Sequence, residues 1–155
     1  MKKIAFLILG IGCLLACHET PKTNNNAAER IKTKEDSAYQ AVMDLHNETM
    51  AKYGKLLGYE KKAQQQIDSA RVYLQDKTCR CEAQAETVII NGNLINDLKA
   101  AEKTMNDWMA QFNPDPKLKT TEERTAYFED QKEKATIMKD SFFKALGKAD
   151  SLLTK

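Results

Sequence analysis

The residues best suited to chemistry fall on one predicted helical face. Met43, His46 and Met50 are three and four residues apart, so on an α-helix their side chains lie on the same side. Met105 and Met109, four apart in a later segment, are predicted to lie opposite them. Imidazole and thioether ligands together suit copper, and thioethers favour Cu(I). The same spacing is typical of a helical core stripe in which methionine fills irregular gaps, and packing is the simpler interpretation.

A second group is the pair Cys79 and Cys81, which have one residue between them. Three interpretations stay open: a local disulfide, a dithiol redox switch or a clip for a soft metal. The spacing differs from the two-residue gap of thioredoxin-like motifs, so we prefer a structural or incidental pair. On a straight helix the pair cannot complete a site at His46, because 33 residues rise about 50 Å.

Cys17 follows a segment that is typical of an export signal. Lys2 and Lys3 precede an apolar run at residues 4–15, which is too short to cross a bilayer as a helix. Residues 14–17, Leu-Leu-Ala-Cys, resemble the lipobox of bacterial lipoproteins. The resemblance implies a diacylglycerol on the Cys17 sulfur, cleavage before Cys17 and acylation of the new N-terminus. The alternative is an ordinary signal peptide with an incidental cysteine.

The chain divides into three segments. Residues 1–16 are the predicted signal peptide, residues 17–33 the lipidated cysteine with a flexible tether, and residues 34–155 a helical domain. The tether carries Pro21 and three consecutive asparagines, with almost no apolar residues to bury. The chain has 24 basic and 22 acidic residues, and Lys2 and Lys3 account for the whole excess. We therefore expect no nucleic-acid partner, which would need a clustered basic face.

The fold class predicted is all-α, an antiparallel bundle of three long helices. The first helix runs from Thr33 to about Leu74 and is kinked, or broken to give four helices, near Gly58. Its apolar track is Tyr39, Met43, His46, Met50, Tyr53 and Leu57, continued by Ile67, Ala70 and Leu74 and flanked by Ala38, Val42, Leu45 and Leu56.

The second helix is predicted over residues 82–112 and the third from Thr120 nearly to the C-terminus. A turn at residues 76–80 precedes the second helix, and Pro114 and Pro116 end it. The stripe of the second helix is Val88, Leu94, Leu98, Ala101, Met105, Trp108 and Phe112, with Ile95 and Met109 beside it. The stripe of the third helix is Phe128, Ala135, Met138, Phe142, Ala145, Ala149 and Leu152.

Helix ends and turns also predict the register. Thr33 with Asp36, and Thr120 with Glu123, have the spacing of N-terminal capping pairs. Residues 91–93, Asn-Gly-Asn, interrupt the second stripe and predict a local weak spot. An antiparallel turn near Cys79 places His46 level with Phe112. The predicted aromatic and methionine-rich end of the core consists of His46, Met50, Tyr53, Met105, Trp108, Met109, Phe112 and Tyr127.

Residues 42–50 and 101–112, together with Tyr127, Phe128 and residues 131–134, resemble a group of small bacterial lipoproteins. These proteins are often labelled "viral A-type inclusion protein", a label taken from coiled-coil similarity. The resemblance covers most of the helical domain. It implies a helical domain behind a lipid anchor and supplies no catalytic role.

The function expected from the sequence is therefore a lipid-anchored, non-catalytic interaction or structural module of the cell envelope. Its partners are the membrane, through the anchor, and an envelope protein. The sequence lacks a nucleophile elbow, a phosphate-binding glycine loop and a zinc-ligand spacing, so we expect no enzyme activity. The alternative function is an extracytoplasmic copper-binding bundle that uses His46 and the neighbouring methionines.

Overall fold

Four helices make up the structure, a computed structural model that describes residues 33–75 and 81–154. They are α1 (Lys34–Met50), α2 (Tyr53–Leu74), α3 (Glu82–Gln111) and α4 (Thr121–Leu153), and the described residues contain no strand. Because α1 and α2 follow each other with only two residues between them, they form one bent helix. The predicted all-α bundle of three long helices is confirmed. The predicted signal peptide, the tether before Thr33 and the turn at residues 76–80 lie outside the described residues.

Both predicted capping pairs are confirmed. Thr33 Oγ1 accepts a hydrogen bond of 3.0 Å from the Asp36 amide, and Asp36 Oδ2 accepts one of 3.2 Å from the Thr33 amide. Thr120 and Glu123 make the same reciprocal pair at the start of α4, both at 3.1 Å. Each pair satisfies two amides that a helix start otherwise leaves without partners, so α1 and α4 begin at positions that the sequence determines locally.

The bend in the first helix lies at Ala51 and Lys52, upstream of the predicted position at Gly58. The Ala51 amide still donates to the Asn47 carbonyl four residues back, but the Lys52 amide donates to Thr49, three residues back, at 3.0 Å. Thr49 Oγ1 also donates to the Leu45 carbonyl at 2.9 Å, a bond that often bends helices. Gly58 lies within α2, so the prediction of a kink there is wrong.

The buried face of the bent helix is displaced from the predicted track. Met50 and Leu57, which we placed on the track, are 39% and 42% exposed. Up to Leu56 the core line follows the predicted flank, at Ala38, Val42 and Leu56. Further along α2, Ile67 and Ala70 of the predicted track are buried as expected, and Leu74 is 40% exposed. The buried residues are Ala38, Val42 and Thr49 in α1, and Leu56, Tyr59, Ala63, Ile67 and Ala70 in α2.

The stripes of α3 and α4 agree closely with the sequence. Leu94, Leu98 and Met105 are fully buried in α3, and Ala135 and Phe142 are fully buried in α4. α4 also buries Leu153 rather than the predicted Leu152, which is half-buried. These side chains form one core with Val42, Leu56 and Tyr59 from the bent helix. None of the described helices has the length and apolar character that crossing a membrane requires.

Both halves of the bent helix, α1 and α2, pack against α4. It packs along α1 and α3 and more briefly against α2, while α2 packs mainly on α3. Ion pairs join α4 to α1 between Arg124 Nε and Glu35 Oε1 at 2.8 Å, and between Lys139 and Glu48 at 2.6 Å. Further along, Lys55 of α2 pairs with Asp150 at 2.8 Å. In these three pairs the residue numbers increase together, so the bent helix and α4 run in the same direction. α3 runs in the opposite direction, because Asn113 pairs with Tyr127 and Asp97 with Lys148. This confirms the antiparallel order of consecutive helices.

The helix pair α2 and α3 extends beyond the end of α4. α4 ends at Leu153, whose carbonyl oxygen accepts a hydrogen bond from Lys62 Nζ of α2. Beyond this level Ile67 and Ala70 of α2 are buried but lie outside the hydrophobic core that α4 shares. We call residues 63–74 of α2 with residues 82–92 of α3 the α2–α3 extension. At 1.5 Å per residue it is about 18 Å long.

Asn91 belongs to this extension and corrects another prediction. We expected a weak spot at residues 91–93, but α3 continues through them without interruption. Asn91 is 4% exposed, and its Nδ2 donates a hydrogen bond of 3.0 Å to Gln66 Oε1 of α2. A buried amide with a partner across the interface ties the two helices together instead of weakening one of them.

Candidate functional site

The structure brings together one histidine–methionine pair from the predicted copper set. His46 Nε2 of α1 lies 3.4 Å from Met109 Sδ of α3. Both side chains are half-buried, because each lies at the edge of its helix's core face. The sequence placed His46 level with Phe112, so the pairing differs from the predicted register by three residues.

The other ring nitrogen of His46 determines what this pair can do. His46 Nδ1 lies 3.2 Å from Asn47 Oδ1, and an amide oxygen only accepts. In the tautomer with hydrogen on Nδ1, Asn47 accepts that hydrogen and a lone pair on Nε2 faces the thioether. In the other tautomer Nε2 donates to the sulfur. Only the first tautomer leaves two ligand atoms facing each other.

The separation of the two atoms fits shared coordination. With a metal–nitrogen distance of about 2.0 Å and a metal–sulfur distance of about 2.3 Å, a nitrogen–sulfur separation of 3.4 Å gives a ligand–metal–ligand angle of about 105°. That angle is close to tetrahedral, which a soft metal such as Cu(I) accepts. The pair can therefore supply two ligands of a site without moving apart.

The remaining methionines of the predicted set occupy unlike environments. Met105 is fully buried in the core, at 0% exposure, while Met50 lies on the surface at 39%. Met43 is half-buried on α1. The five residues therefore do not form one evenly buried cluster, and Met50 was wrongly placed in the core. The helix carries Met50 outward because the core line runs through Thr49 instead.

Aromatic rings surround the His46 pair on its core side. The Trp108 ring lies 5.7 Å from the His46 ring and stacks on Phe112 at 5.0 Å. The ring centroids of Phe112 and Phe128 are 6.5 Å apart, and those of Tyr127 and Phe128 are 5.3 Å apart. The predicted aromatic end of the core is thus present around His46. Trp108 Nε1 is buried and has no hydrogen-bond partner among the described residues, a cost that the burial of its ring offsets.

A second cluster, which we did not predict, lies between α2 and α3. Tyr53 Oη donates to Glu102 Oε1, and this bond raises the Tyr53 pKa. Burial raises the Glu60 pKa, and the nearby Glu102 charge adds to the rise, while Lys99 opposes it. Glu60 Oε1 is buried without a hydrogen-bond partner among the described residues. Sequence spacing gave no signal, because Glu60 and Glu102 are paired only by the register of the two helices.

Of the two cysteines in the pair, the structure describes Cys81 alone. Cys81 is buried and is bonded in a disulfide whose partner lies outside the described residues, as Cys79 does. Cys81 Sγ lies 3.7 Å from the Tyr73 carbonyl oxygen. Because a disulfide sulfur carries no hydrogen, this is a packing contact. The choice among the three interpretations of Cys79 and Cys81 stays a prediction.

In residues 33–75 and 81–154 no three side chains of histidine, cysteine, aspartate or glutamate gather as a metal site. A site built on thioethers is a different kind and stands on the His46–Met109 geometry alone. Comparison of the chain with known protein families, curated proteins and solved structures finds no match. The resemblance to small lipoproteins therefore stays a prediction.

Proposed function

We propose that the chain is a lipid-anchored, non-catalytic interaction module of the cell envelope, facing the periplasm or the cell surface. The anchor rests on Cys17, on the lysines and the apolar run before it, and on the small Ala16 beside it. Two or more acyl chains on one residue give stable membrane attachment, where a single chain gives marginal binding.

The bundle's geometry supports an interaction role at the end of the domain farthest from Thr33. α1 begins beside Pro114, Pro116 and Arg124, at the end of the bundle opposite the α2–α3 extension. From Thr33 to Leu74 the bent helix covers about 60 Å at 1.5 Å per residue. A tether attached at Thr33 therefore leaves the extension as the part of the domain farthest from the attachment point.

The observation that carries the proposal is the apolar surface of this extension. Nine large apolar side chains are well exposed among the described residues, and five of them lie here although the extension is a small part of the domain. Such a concentration marks an interaction site, whereas scattered exposed apolar residues need no explanation. The five are Val72, Tyr73, Leu74, Ile89 and Ile90.

The anchor is tested by metabolic labelling with palmitate in cells that make the full chain. We expect label on the wild type and on Cys13→Ala, and none on Cys17→Ala, because Cys13 leaves with the signal peptide. Globomycin, which blocks the lipoprotein signal peptidase, should leave the unprocessed precursor. Label that survives Cys17→Ala would contradict the anchor.

The interaction role is tested by in-cell crosslinking. A photo-crosslinking amino acid is placed at Ile89 and, as a matched control, at Ile137 of α4; these side chains are 63% and 62% exposed. We expect protein adducts from position 89 and few from position 137. Equal yields, or no protein adduct from position 89, would contradict an interaction module of this kind.

A second candidate function, copper binding, is favoured by the 3.4 Å separation of His46 Nε2 and Met109 Sδ. Two ligands do not complete a site, and half-buried Met43 is the nearest candidate in sequence for a third, one helical turn from His46. The extracytoplasmic location that the lipid anchor implies would expose the site to copper.

Copper binding is tested by titrating the purified full chain, in detergent, with Cu(I) against a competing chelator. We expect affinity to fall at least tenfold in His46→Ala and in Met109→Leu, because each change removes one ligand. Met138→Leu serves as the control, since it keeps the volume of a buried methionine on α4. Equal binding by all four proteins, or none by the wild type, would leave packing as the role of the pair.

A further inference from the structure

We infer that the α2–α3 extension pairs with the same extension of a second copy of this chain, forming a four-helix bundle. The inference rests on the proposed interaction function and names its partner. A two-helix hairpin buries only the faces that its helices turn toward each other, and two hairpins side by side bury a second set. A pair of identical patches related by a two-fold axis is the commonest way in which soluble chains assemble.

The end of α4 leaves this second set of faces uncovered. Lys62, which donates to the Leu153 carbonyl, also lines a groove of about 400 Å³ on the extension. Gln66, Ser69 and Tyr73 of α2 and Thr87 of α3 continue the groove away from α4. The groove thus lies where a further helix would pack if α4 were longer. A helix from the second copy has the dimensions to occupy that place.

The exposed apolar area is close to what a stable pair needs. Val72, Tyr73, Leu74, Ile89 and Ile90 are 36–66% exposed, so each offers on the order of 60 Å² of apolar surface. Because residues 72–74 are consecutive on α2, they point to different sides of the helix, so five such side chains give at most about 300 Å² per copy and about 600 Å² for two. A specific interface of about 1,200 Å², at about 57% apolar, contains roughly 700 Å² of apolar surface. The extension therefore supports a pair of modest affinity.

The charge of the extension is small enough to permit a partner like itself. Its residues carry three acidic side chains, Asp68, Glu82 and Glu86, and one basic side chain, Arg71, a net charge of −2. Two copies therefore repel each other only weakly at physiological ionic strength, where salt screens exposed charges. Gln64, Gln65, Gln66 and Gln84 add uncharged side chains that can donate to and accept from their counterparts.

The chain's own N-terminal segment is a poor occupant. Residues 18–32 contain a single large apolar residue, Ile31, and so cannot cover five exposed apolar side chains. They also join the domain at Thr33, at the opposite end of the bundle. A second copy supplies both an apolar surface and a helical hairpin of the same length.

Anchoring would strengthen a modest affinity. Copies held on one membrane by flexible tethers are confined to a thin layer beside its surface. Confinement to a surface raises the effective concentration of one copy around another, as linking two modules does.

The test uses two differently tagged full-length copies made in the same cells, each with the photo-crosslinking residue at Ile89. We expect an adduct of twice the chain's mass that carries both tags. Val72→Glu on both copies should lower its yield at least fivefold. Because Val72 is 66% exposed in the single chain, this change should leave the thermal unfolding temperature within a degree of the wild type when both proteins are dilute and unpaired.

The outcomes separate this inference from the proposed function. Adducts from position 89 that contain only another protein would overturn self-pairing while leaving the interaction function intact. Adducts with phospholipid, or none, would overturn both. An equal yield of doubly tagged adduct from position 137 would show that the copies meet without a specific surface, and would also overturn self-pairing.

Discussion

Asn91 Nδ2 donates a hydrogen bond of 3.0 Å to Gln66 Oε1, and this bond joins the two helices of the extension where no third helix supports them. Asn91 is buried and depends on Gln66 for this bond, whereas Gln66 is half-buried and borders the open groove. The pair also sets which residues of α2 and α3 face each other, since sliding one helix by a turn would separate the two amides.

We predict that Asn91→Ala destabilises the protein by about 1 kcal/mol, because it removes one buried hydrogen bond while the half-buried Gln66 can still bond to water. The double change Asn91→Leu with Gln66→Leu should be nearly neutral, since it removes both polar groups and adds apolar contact. Urea unfolding of the three proteins measures the difference. A double variant as unstable as Asn91→Ala would show that the amide pair itself holds the helices together.

We predict that Glu60→Gln stabilises the protein at pH 7. Burial and the Glu102 charge raise the Glu60 pKa above its ordinary value of 4.5, so the folded state binds this proton more tightly than the unfolded state. Ionised Glu60 therefore lowers stability at neutral pH, and the penalty disappears as pH falls through the raised pKa towards 4.5.

Thermal unfolding from pH 5 to pH 8 tests the effect of Glu60. Asp150 stays ionised across this range, because Lys55 and Tyr59 lower its pKa. The gap between Glu60→Gln and the wild type should widen as pH rises. Glu133→Gln, an exposed change on α4, provides the control and should shift little. A wild type more stable than Glu60→Gln at pH 7 would contradict the burial argument.

We predict that Thr120→Ala costs about 1 kcal/mol, because it removes the side chain that caps the Glu123 amide. Thr136→Ala is a matched change in the middle of the same helix, where the hydroxyl only donates to the Lys132 carbonyl oxygen at 2.8 Å. It should change stability by less than about 0.5 kcal/mol. Equal losses in guanidinium unfolding would mean that the cap does not limit α4.

We predict that Gly58→Ala stabilises the protein by about 1 kcal/mol, since Gly58 lies inside a regular helix. A Cβ added there meets no atom within 4 Å, so no clash opposes the gain in helix propensity. The expected result is a higher midpoint of urea unfolding with an unchanged slope. A loss of stability would show that the helix bends at Gly58 in solution, as the sequence alone suggested.

Signals confined to a few neighbouring residues were predicted well. The two capping pairs, the prolines after α3 and the stripes of α3 and α4 gave helix bounds within a residue or two of the observed ones. Each depends on hydrogen bonds or on a periodicity within one helix. The aromatic end of the core around His46 was predicted from these stripes and one further assumption, the position of the turn near Cys79.

Features that depend on how helices meet were predicted poorly. The bent helix has two apolar lines side by side, and which of them is buried depends on where α3 and α4 lie. The effect of the Glu102 charge on Glu60 and the hydrogen bond between Asn91 and Gln66 depend on the offset between α2 and α3 along the bundle axis. The length of α4 relative to that pair, which creates the extension, depends on the lengths of two loops as well as three helices.

Where α4 stops, the local free energy of opening also changes. Amides of residues 63–74 should exchange with solvent through partial unfolding that leaves the core shared with α4 intact. Amides of residues 138–149 should exchange only when the whole domain unfolds. If a second copy covers the extension, this partial unfolding is coupled to surface density by mass action. At low surface density the extension would unfold locally more often, and at high density it would stay folded. The amount of protein made would thus set how ordered this end of the domain is.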